Sequence, residues 1–505
     1  MKLSGKLAKP TVTPLSETLF DVCAKLAKKD PTLWGEKATA EARIRLNWID
    51  LPTTSRQLLP ELDALSAWAR SNSLSEVVLC GMGGSSLAPE VIAATYSKKI
   101  TILDSTDPKQ VLNATPSDLS KSIIVIASKS GTTIETRSQM AYFENLFSKS
   151  NIEASNHFVI ITDPASALDI EARSKGYRVI NADPNVGGRF SALTAYGLVP
   201  AALIGVDVSE LLDDAHSAAI KFTEKNSIPV VIASELFNAT EQFITFHESK
   251  SPVPGLSDWI EQLIAESTGK ELKGRLPVIN REISQTNFGL TVGFGPGDFD
   301  LIVEAPLGAQ FILWEWVTAL LCYLLEVDPF NQPNVTEAKE QSNKVLAKGD
   351  FTFPQGIKVF ENEIYQLYSN RKIASIKEFL QLPVSYFAIM AYLTRGEDNQ
   401  VIDLKDQISS KFHRATTFGW APRFLHSTGQ FHKGGPTNGG FIQITCEPTE
   451  ELPISGMNIS FKQLIIAQAL GDSAALQGRD LPFLQIHLKE KKSGIANLIN
   501  EIAKA

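Results

Sequence analysis

Short apolar runs alternate with longer amphipathic stretches along the chain from about residue 76. Five runs, each bounded by turn residues, predict β-strands at residues 77–80, 100–103, 123–126, 158–161 and 178–180. Because helical stretches separate these runs, the rhythm indicates βαβ repetition and a parallel sheet that helices cover on both faces. The pattern restarts after residue 205, and it predicts further strands at residues 230–232, 243–246, 288–292, 386–392 and 440–445.

The first 75 residues carry apolar positions at helical spacing, which predicts helices that pack as an arm against the rest of the chain. The predicted division is a helical N-terminal arm (1–54), a first α/β domain (55–205), the first part of a second α/β domain (206–345) and a C-terminal α/β part that completes the second domain (346–505). The longest apolar run, residues 311–327, contains Glu315 and is short for a membrane span, so we expect a buried helix.

Composition narrows the possible partners and compartment. The chain has 505 residues, of which 43% are hydrophobic, and its formal net charge is −8. Without a block of Lys and Arg, a nucleic-acid partner is disfavoured, although a local site can still bind a small anion. The four cysteines lie far apart without CxxC spacing, which disfavours a disulfide framework or a thiolate zinc site. Since the basic start lacks an apolar signal segment, we expect a cytoplasmic protein without a membrane partner.

Two polar loops follow predicted strands of the first domain. The first is GMGGSS at 81–86, where glycines let backbone amides approach an anion at the start of a helix. The second is SKSGTT at 128–133, whose Ser and Thr hydroxyls are suited to a monophosphate, and it does not match a nucleotide P-loop. A simpler alternative for the second loop is a helix cap with incidental hydroxyls before a helix that starts near residue 134.

The first loop also allows a dinucleotide-binding interpretation. Gly81 and Gly83 fit a GxGxxG pattern, and Asp104 closes the next strand about where a ribose-binding carboxylate would lie. Ser86, however, occupies the position of the third glycine. An NAD-dependent oxidoreductase therefore stays open as an alternative at this point.

Five motifs occur together in the chain: GMGGSS (81–86), SKSGTTIET (128–136), GGRFSA (187–192), ESTGK (266–270) and PFNQP (329–333). In combination they resemble the sugar-isomerase (SIS) family, in particular its glucose-6-phosphate isomerases, over most of residues 30–505. The resemblance implies an α/β fold of two doubly wound parallel-sheet SIS domains with a helical N-terminal arm. It also implies an aldose–ketose isomerase that interconverts glucose 6-phosphate and fructose 6-phosphate through a cis-enediol, in glycolysis and gluconeogenesis, with neither cofactor nor metal ion.

The resemblance assigns roles to particular residues. Glu266 is the base that moves a proton between C1 and C2, which a carboxylate can do because it both removes and returns a proton. Arg189 stabilises the enediolate. Lys339 and His426 assist ring opening, with His432 as the alternative histidine. The residues assigned to substrate binding are Gly84, Ser85, Ser128, Lys129, Ser130, Thr133 and Gln332.

The chain departs from the family pattern in two respects. Asn331 and Thr336 stand where the pattern has Asp and Glu, and the HSTGQ segment at 426–430 follows the FNQ segment, whereas it precedes that segment in typical members. This order is similar to the isomerase portion of fused transaldolase–isomerase proteins. Since a parallel sheet depends on the spatial order of its strands and not on their order in the chain, we expect residues after about 345 to complete the second sheet.

Several alternatives stay open. The resemblance implies a homodimer in which the histidine reaches over from the partner, but the sequence does not decide which subunit supplies His426, nor whether mannose 6-phosphate is also a substrate. Glu266 could instead be a solvated residue at a helix end, and Arg189 could pair with a surface acid. A non-catalytic sugar-phosphate-binding regulatory protein of the same fold is the alternative function, and the presence of both Glu266 and Arg189 favours the enzyme.

Overall fold

A computed structural model describes residues 1–9, 13–283, 285–354 and 356–504. Three mainly parallel β-sheets with helices around them make up this described part. The predicted α/β class with parallel-sheet cores is confirmed, while the number and composition of the sheets differ from the prediction.

The N-terminal region is mostly helical, as predicted, but it begins with a short strand. Its elements are β1 (Lys2–Ser4), α1 (Pro14–Ala27), α2 (Glu36–Arg45), α3 (Leu51–Thr54) and α4 (Leu59–Ser71). The indole Nε1 of Trp34 donates to the carbonyl oxygen of Ala319 at 3.0 Å, which ties this region to the core of the molecule.

The first sheet contains five parallel strands, and all five were predicted within a few residues. They are β2 (Glu76–Gly81), β3 (Thr101–Leu103), β4 (Ser122–Ala127), β5 (Phe158–Thr162) and β6 (Arg178–Asn181), in the order β3-β2-β4-β5-β6. The accompanying helices are α5 (Leu87–Thr95), α6 (Pro108–Asn113), α7 (Ile134–Lys149), α8 (Ala167–Ser174) and α9 (Ala195–Leu203). The winding direction reverses between β2 and β4, so a crevice opens at their carboxyl ends.

The second sheet takes its last strand from the N-terminus. Its elements are α10 (Val208–Ala219), α11 (Ile228–Asn238), β7 (Phe243–His247), α12 (Leu256–Thr268), β8 (Leu276–Asn280), β9 (Leu290–Gly293), β10 (Leu301–Glu304), α13 (Leu307–Leu325) and α14 (Pro333–Lys348). The order is β1-β10-β9-β7-β8, with β1 antiparallel to β10. The strand predicted at 230–232 is wrong, because these residues belong to α11; a short buried apolar run fits a helix as well as a strand.

Residues after 345 form a sheet of their own. Its elements are β11 (Lys358–Glu361), β12 (Tyr365–Ser369), α15 (Ile376–Leu380), β13 (Tyr386–Tyr392), α16 (Asp403–Phe412), β14 (Ala415–Trp420), α17 (Gly429–Gly434), β15 (Gly439–Cys446), α18 (Phe461–Gly478), β16 (Phe483–Leu488) and α19 (Lys491–Lys504). The order is β11-β12-β16-β15-β13-β14, and the last four are mutually parallel.

The prediction that residues 346–505 complete the second sheet is therefore wrong. The strands predicted at 386–392 and 440–445 exist, but both edges of β13 are hydrogen-bonded within the third sheet, to β14 and β15. This sheet has its own apolar core, formed with α16 and α19. The second and third sheets meet through a shared apolar cluster that includes Phe243, Tyr386 and Phe431. We refer to residues 356–504 as the C-terminal unit.

Helix α13 lies in the main core, as predicted for the longest apolar run. It is long and apolar enough to cross a membrane by length and composition, and 89% of its most apolar segment is buried inside the protein. Glu315, at its centre, is fully buried, and burial raises the pKa of its carboxyl group well above the usual range. The four cysteines are buried thiols.

Candidate active site

The two polar loops lie side by side at the carboxyl ends of β2 and β4. The first loop turns through Gly83–Ser85 into α5, and the second leads from Ala127 to Thr133 at the start of α7. Because β2 and β4 pair directly and the winding reverses between them, both loops border the crevice where open α/β sheets bind ligands.

Two adjoining cavities occupy this crevice. The first, of about 250 Å³, is lined by residues from α2, both polar loops, α12, α14 and the C-terminal unit, among them Arg45, Gly84, Lys129, Arg189, Gln262, Glu266, Gln332, Lys339 and His426. The second, of about 200 Å³, is lined by Ser130, Thr132, Thr133, Glu135, Lys339, His426 and Gln468, among others. Lys339 and His426 border both cavities, so a ligand could extend from one into the other past these two side chains.

Glycines allow the GMGGSS loop to approach helix α12 and the GGRFSA segment at the first cavity. Gly83 has φ +55°, and a Cβ there would lie 2.8 Å from the amide nitrogen of Gln262. A Cβ on Gly84 would overlap the carbonyl oxygen of Gly188, next to Arg189. The GMGGSS and GGRFSA segments can therefore touch only because these positions lack a side chain.

Glu266 and Arg189 form a buried ion pair at the wall of the first cavity. Nη1 of Arg189 lies 2.9 Å from Oε1 of Glu266. The rest of the guanidinium is anchored by backbone, because Nε and Nη2 donate to the carbonyl oxygen of Pro329 and Nη2 also donates to that of Asn331. Arg189 is thus a fixed positive charge beside a carboxylate that is 9% exposed.

Helix α12 carries Glu266 in its last turn and Gln262 one turn earlier, on the same face. Nε2 of Gln262 donates to Oε2 of Glu266 at 3.2 Å and to the carbonyl oxygen of His426 at 2.8 Å. The side chain therefore joins the carboxylate to the backbone of the C-terminal unit. Its own Oε1 is buried without a protein donor among the described residues.

His426 forms a dyad with Glu135, which lies in the first turn of α7. Nε2 of the imidazole is 3.0 Å from Oε1 of Glu135. Burial opposes ionisation of Glu135, but the charge and hydrogen bond of His426 outweigh it, so the pKa of this carboxyl group lies below its usual value. With a carboxylate as partner, Nε2 carries a proton, and Nδ1 is the ring nitrogen left without a partner in the described part of the chain.

The HSTGQ segment is held against the ESTGK and PFNQP motifs by Gln430. Its Nε2 donates to the carbonyl oxygen of Gly269 at 2.9 Å and to Oδ1 of Asn334 at 2.8 Å, while its Oε1 accepts from the backbone N–H of Asn334. Gly269 permits this approach, because a Cβ there would lie 2.5 Å from Cα of Phe431. Three motifs that are distant in sequence thus meet in one chain.

Comparison with known proteins identifies the family of the chain. A family model described as phosphoglucose isomerase matches residues 58–296. A glucose-6-phosphate isomerase of Synechococcus sp. is 31% identical over 373 residues, which cover 56% of this chain and 70% of the relative. A glucose-6-phosphate isomerase of Mycoplasmopsis pulmonis is 27% identical over 393 residues, which cover 60% of this chain and 90% of the relative. The chain belongs to the phosphoglucose isomerase family.

A solved structure shares the fold. A crystal structure of a glucose-6-phosphate isomerase from Chlamydia trachomatis superposes with a TM-score of 0.54 at 17% identity, covering 69% of this chain and 88% of that one. At this identity the likeness concerns the fold alone.

The family's FDQ motif is altered here at Asn331, and the structure indicates why the change is tolerated. Asn331 contributes to the site through its backbone carbonyl oxygen, which accepts from Nη2 of Arg189 at 2.9 Å. A carbonyl oxygen does not depend on the side chain, so the Arg189 anchor survives the replacement of Asp by Asn.

The residues assigned to the phosphate divide into two groups. Ser130 and Thr133 line the second cavity, whereas Gly84, Lys129 and Gln332 line the first. Thr133 stands at the N-cap position of α7, but its hydroxyl makes no capping bond to the helix backbone within the described residues, so the simple cap alternative is not supported.

Ser85 and Ser128 are not among the described residues that line either cavity. Oγ of Ser128 accepts from the backbone N–H of Gly131 and donates to the Thr133 hydroxyl, so it shapes the loop from inside. Lys129 is ion-paired with Asp163 at 2.8 Å. Lys339, in contrast, makes no ion pair with any described residue, which leaves its ammonium group available to a ligand.

His432 is an unsuitable ring-opening residue. It is fully buried against Phe424 and Phe441, and both ring nitrogens are without partners within the described residues. Burial and the nearby charge of Lys433 lower the pKa of the imidazole to about 3. Of the two candidate histidines, the structure places only His426 at the cavities.

The carboxylate on which the dinucleotide-binding interpretation depends, that of Asp104, is not accessible to a ligand. Asp104 is 1% exposed and pairs with Nη1 of Arg423 at 2.9 Å, and Oγ of Ser86 donates weakly to it at 3.4 Å. A ribose would have to displace a buried arginine to reach it.

Several residues at the cavities were missed by the sequence analysis. Gln262 could have been found, since its spacing of four from Glu266 puts both on one helix face. Glu135 lies inside a recognised motif, but its role depends on His426, 291 residues away. Arg45 and Gln468 carry no local signal. Lys270, behind Arg189, is also buried, and burial followed by the charge of Arg189 lowers its pKa to about 7.

Proposed function

We propose that this protein is an aldose–ketose isomerase that interconverts glucose 6-phosphate and fructose 6-phosphate through a cis-enediol. The observation that carries the proposal is the buried pair of Glu266 and Arg189 on the wall of a cavity that is also lined by Lys339 and by His426, the partner of Glu135. The cavity thus offers a base for the carbon-bound proton (Glu266) and a positive charge for the developing oxyanion (Arg189). It also offers an acid and a base for ring opening (His426 and Lys339).

The phosphate binds in the second cavity. Ser130, Thr132 and Thr133 present hydroxyls there, and α7 directs its N-terminal amides and partial positive charge to the same place. The sugar then extends past Lys339 and His426 towards Glu266. Because Lys339 is unpaired among the described residues, it can also contribute charge to the phosphate side.

Ring opening needs an acid and a base at the ring oxygen and the anomeric hydroxyl. His426, held by Glu135, and Lys339 border both cavities and so stand at the position where the ring would lie. One donates a proton to the ring oxygen while the other takes the proton of the hydroxyl group, and the open-chain sugar results.

Isomerisation then requires one base on one face of the sugar. A carboxylate oxygen of Glu266 removes the proton from C2 of the aldose, and the same carboxyl group returns it to C1 while the hydroxyl proton on O2 passes to O1, which gives the ketose. The negative charge that develops on the sugar oxygen is stabilised by Arg189, whose guanidinium is already oriented by the carbonyl oxygens of Pro329 and Asn331.

The site is formed within one chain, although the family resemblance led us to expect a histidine from the partner subunit. We nevertheless propose a homodimer, working in the cytoplasm in glycolysis and gluconeogenesis; the support for these points is the family resemblance. The regulatory alternative predicts binding of the same sugar phosphates without turnover.

The test supplies purified protein with fructose 6-phosphate and measures glucose 6-phosphate and exchange of the C2 proton with solvent. Glu266→Gln should lower kcat by about 10²–10⁴, as expected for loss of a general base. The matched control is Glu261→Gln, on the same helix but lining a different cavity. Binding of glucose 6-phosphate without turnover by the wild type would establish the regulatory alternative and reject the enzyme, and full activity of Glu266→Gln would reject the assigned base.

A further inference from the structure

A buried chain of hydrogen bonds continues from the His426–Glu135 dyad into the C-terminal unit. Nε2 of Gln468, in α18, donates to Oε1 of Glu135 at 2.8 Å. Oε1 of Gln468 in turn accepts from the hydroxyl of Thr106, which follows β3, at 2.5 Å. Glu135, Gln468 and Thr106 are each at least 96% buried. The chain of bonds runs Thr106, Gln468, Glu135, His426, and each of its three bonds crosses between the first sheet with its helices and the C-terminal unit.

The directions of these bonds follow from the chemistry of the groups. A carboxylate only accepts, so the amide nitrogen of Gln468 must face Glu135, and the amide oxygen is left for the Thr106 hydroxyl. Oε1 of Glu135 thereby receives two donors, one from Gln468 and one from His426. Donors to a buried carboxylate stabilise its charged form and restrict its rotation.

We propose that Gln468 is a positioning residue for ring opening: it fixes the carboxylate of Glu135 in the orientation that holds the proton on Nε2 of His426. The inference rests on the proposed isomerase function. The charged groups that act on Glu135 are His426 and, from α14, Lys339. Lys433, which lines the same cavity, is bound to Asp472 at 2.6 Å and is not free to replace Gln468 as a donor.

Removal of the amide should shift the pH profile in a defined direction. In Gln468→Leu the carboxylate of Glu135 loses a donor, and its pKa rises, because donors stabilise the charged form. We expect the acid limb of kcat/KM, which requires ionised Glu135, to move up by about 1 pH unit, the size expected for one hydrogen bond to a charged group. Interconversion of the α and β anomers of glucose 6-phosphate, which needs ring opening alone, should slow in parallel.

The control is Gln443→Leu. Gln443 is an equally buried glutamine that binds α18 next to Gln468, through the carbonyl oxygen of Ala469, and it does not touch Glu135. Its replacement disturbs the same helix and should lower stability while leaving the pH profile in place. If both variants shift the profile equally, or if Gln468→Leu lowers the rate uniformly at every pH, Gln468 is only structural and the inference is wrong.

Thr106→Val provides a second variant that is nearly isosteric. It leaves Gln468 in place but removes the donor that orients its amide, so we expect a smaller shift of the pH profile in the same direction. An unshifted profile in Thr106→Val would contradict the inference even where Gln468→Leu does not fold.

Glu266→Gln separates this inference from the proposed function, because it should block isomerisation and spare anomer interconversion. A wild type without isomerase activity would reject the function itself; an active wild type with an unshifted Gln468→Leu would reject only the role of Gln468.

Discussion

Arg189 shows how a single residue can be both structural and chemical. Its Nε and Nη2 are used by the carbonyl oxygens of Pro329 and Asn331, and Nη1 is aimed at Glu266. The planar guanidinium group of Arg189 permits these simultaneous contacts, so its positive charge is already oriented in the cavity before substrate binds. A lysine would keep the charge but could not satisfy both carbonyl groups and the carboxylate.

Arg189→Lys should therefore lower kcat by about 10²–10³ with little change in the binding of sugar phosphate, because the lost contacts act on the developing oxyanion. Steady-state kinetics with fructose 6-phosphate measures this. Arg275→Lys is the matched control, since Arg275 also binds backbone carbonyl oxygens, those of Leu236 and Phe237, away from the two cavities. An equal loss of kcat in both variants would mean that Arg189 acts through stability alone.

Lys270 should leave a signature in the pH dependence of stability. Its pKa is lowered to about 7 in the folded protein, first by burial and then by Arg189, whereas an unfolded lysine titrates near 10.5. Between these values the unfolded chain binds a proton that the folded chain does not, so the free energy of unfolding rises with pH by about 1.4 kcal/mol per unit.

In Lys270→Met this contribution is absent, so the gain in unfolding free energy between pH 7.5 and 9.5 should be smaller than in the wild type by up to about 3 kcal/mol. Urea denaturation at both pH values measures it, with the exposed Lys221→Met as control. Parallel pH dependence in Lys270→Met and the wild type would contradict a depressed pKa for Lys270.

The residues that the sequence could identify have roles signalled by neighbouring residues in a motif, whereas those it could not identify depend on partners far away in the chain. Glu266 and Arg189 sit in motifs whose neighbours carry the signal, and the structure brings them to within 2.9 Å of each other. Glu135 and Gln468 are defined by partners 291 and 333 residues away. No local pattern encodes such contacts, because they exist only once the C-terminal unit is packed against the first sheet.

Helices α14 and α18 bring Lys339 and Gln468 to the same cavity, and they pack closely at one glycine. A Cβ on Gly471 of α18 would lie 2.6 Å from the backbone nitrogen of Ser342 in α14. Gly471→Ala should push the two helices apart and displace Lys339, with a loss in kcat/KM of about 10–10²-fold, the scale of misplacing a reacting group by about 1 Å.

The control for this change lies at the end of the same helix. Gly478 has open space where its Cβ would stand, so Gly478→Ala should keep wild-type kcat/KM and slightly raise the melting temperature. Wild-type activity in Gly471→Ala would show that the separation of α14 and α18 does not set the position of Lys339.

Element prediction succeeded where length and flanking turns were distinctive. The five strands of the first sheet and the buried helix α13 were predicted, whereas the apolar run at 230–232 is helical. The partner of each strand was not predictable: β1, near the N-terminus, completes the second sheet, and β13 to β16 form a third. A strand's pattern reports that it is buried, not which sheet buries it.

At the scale of the whole molecule, the C-terminal unit supplies what the first two sheets lack. Those sheets carry Glu266, Arg189 and the proposed phosphate-binding loop, while the C-terminal unit brings His426 and Gln468 to the same crevice. Gln430, through Gly269 and Asn334, fastens the unit at the edge of the first cavity. One chain therefore holds a complete set of the proposed catalytic groups, and the proposed homodimer is not needed to assemble a site.

This arrangement predicts the outcome of mixing two inactive variants. Glu266→Gln and His426→Asn, co-expressed with different tags and purified through both, should show only the sum of their separate activities, because neither chain has both residues. If His426 instead acted in the neighbouring subunit, every dimer purified through both tags would be mixed and would regain one of its two sites, giving about half of wild-type activity. Recovery of that size would show that the in-chain contact of His426 with Glu135 is exchanged between subunits in solution.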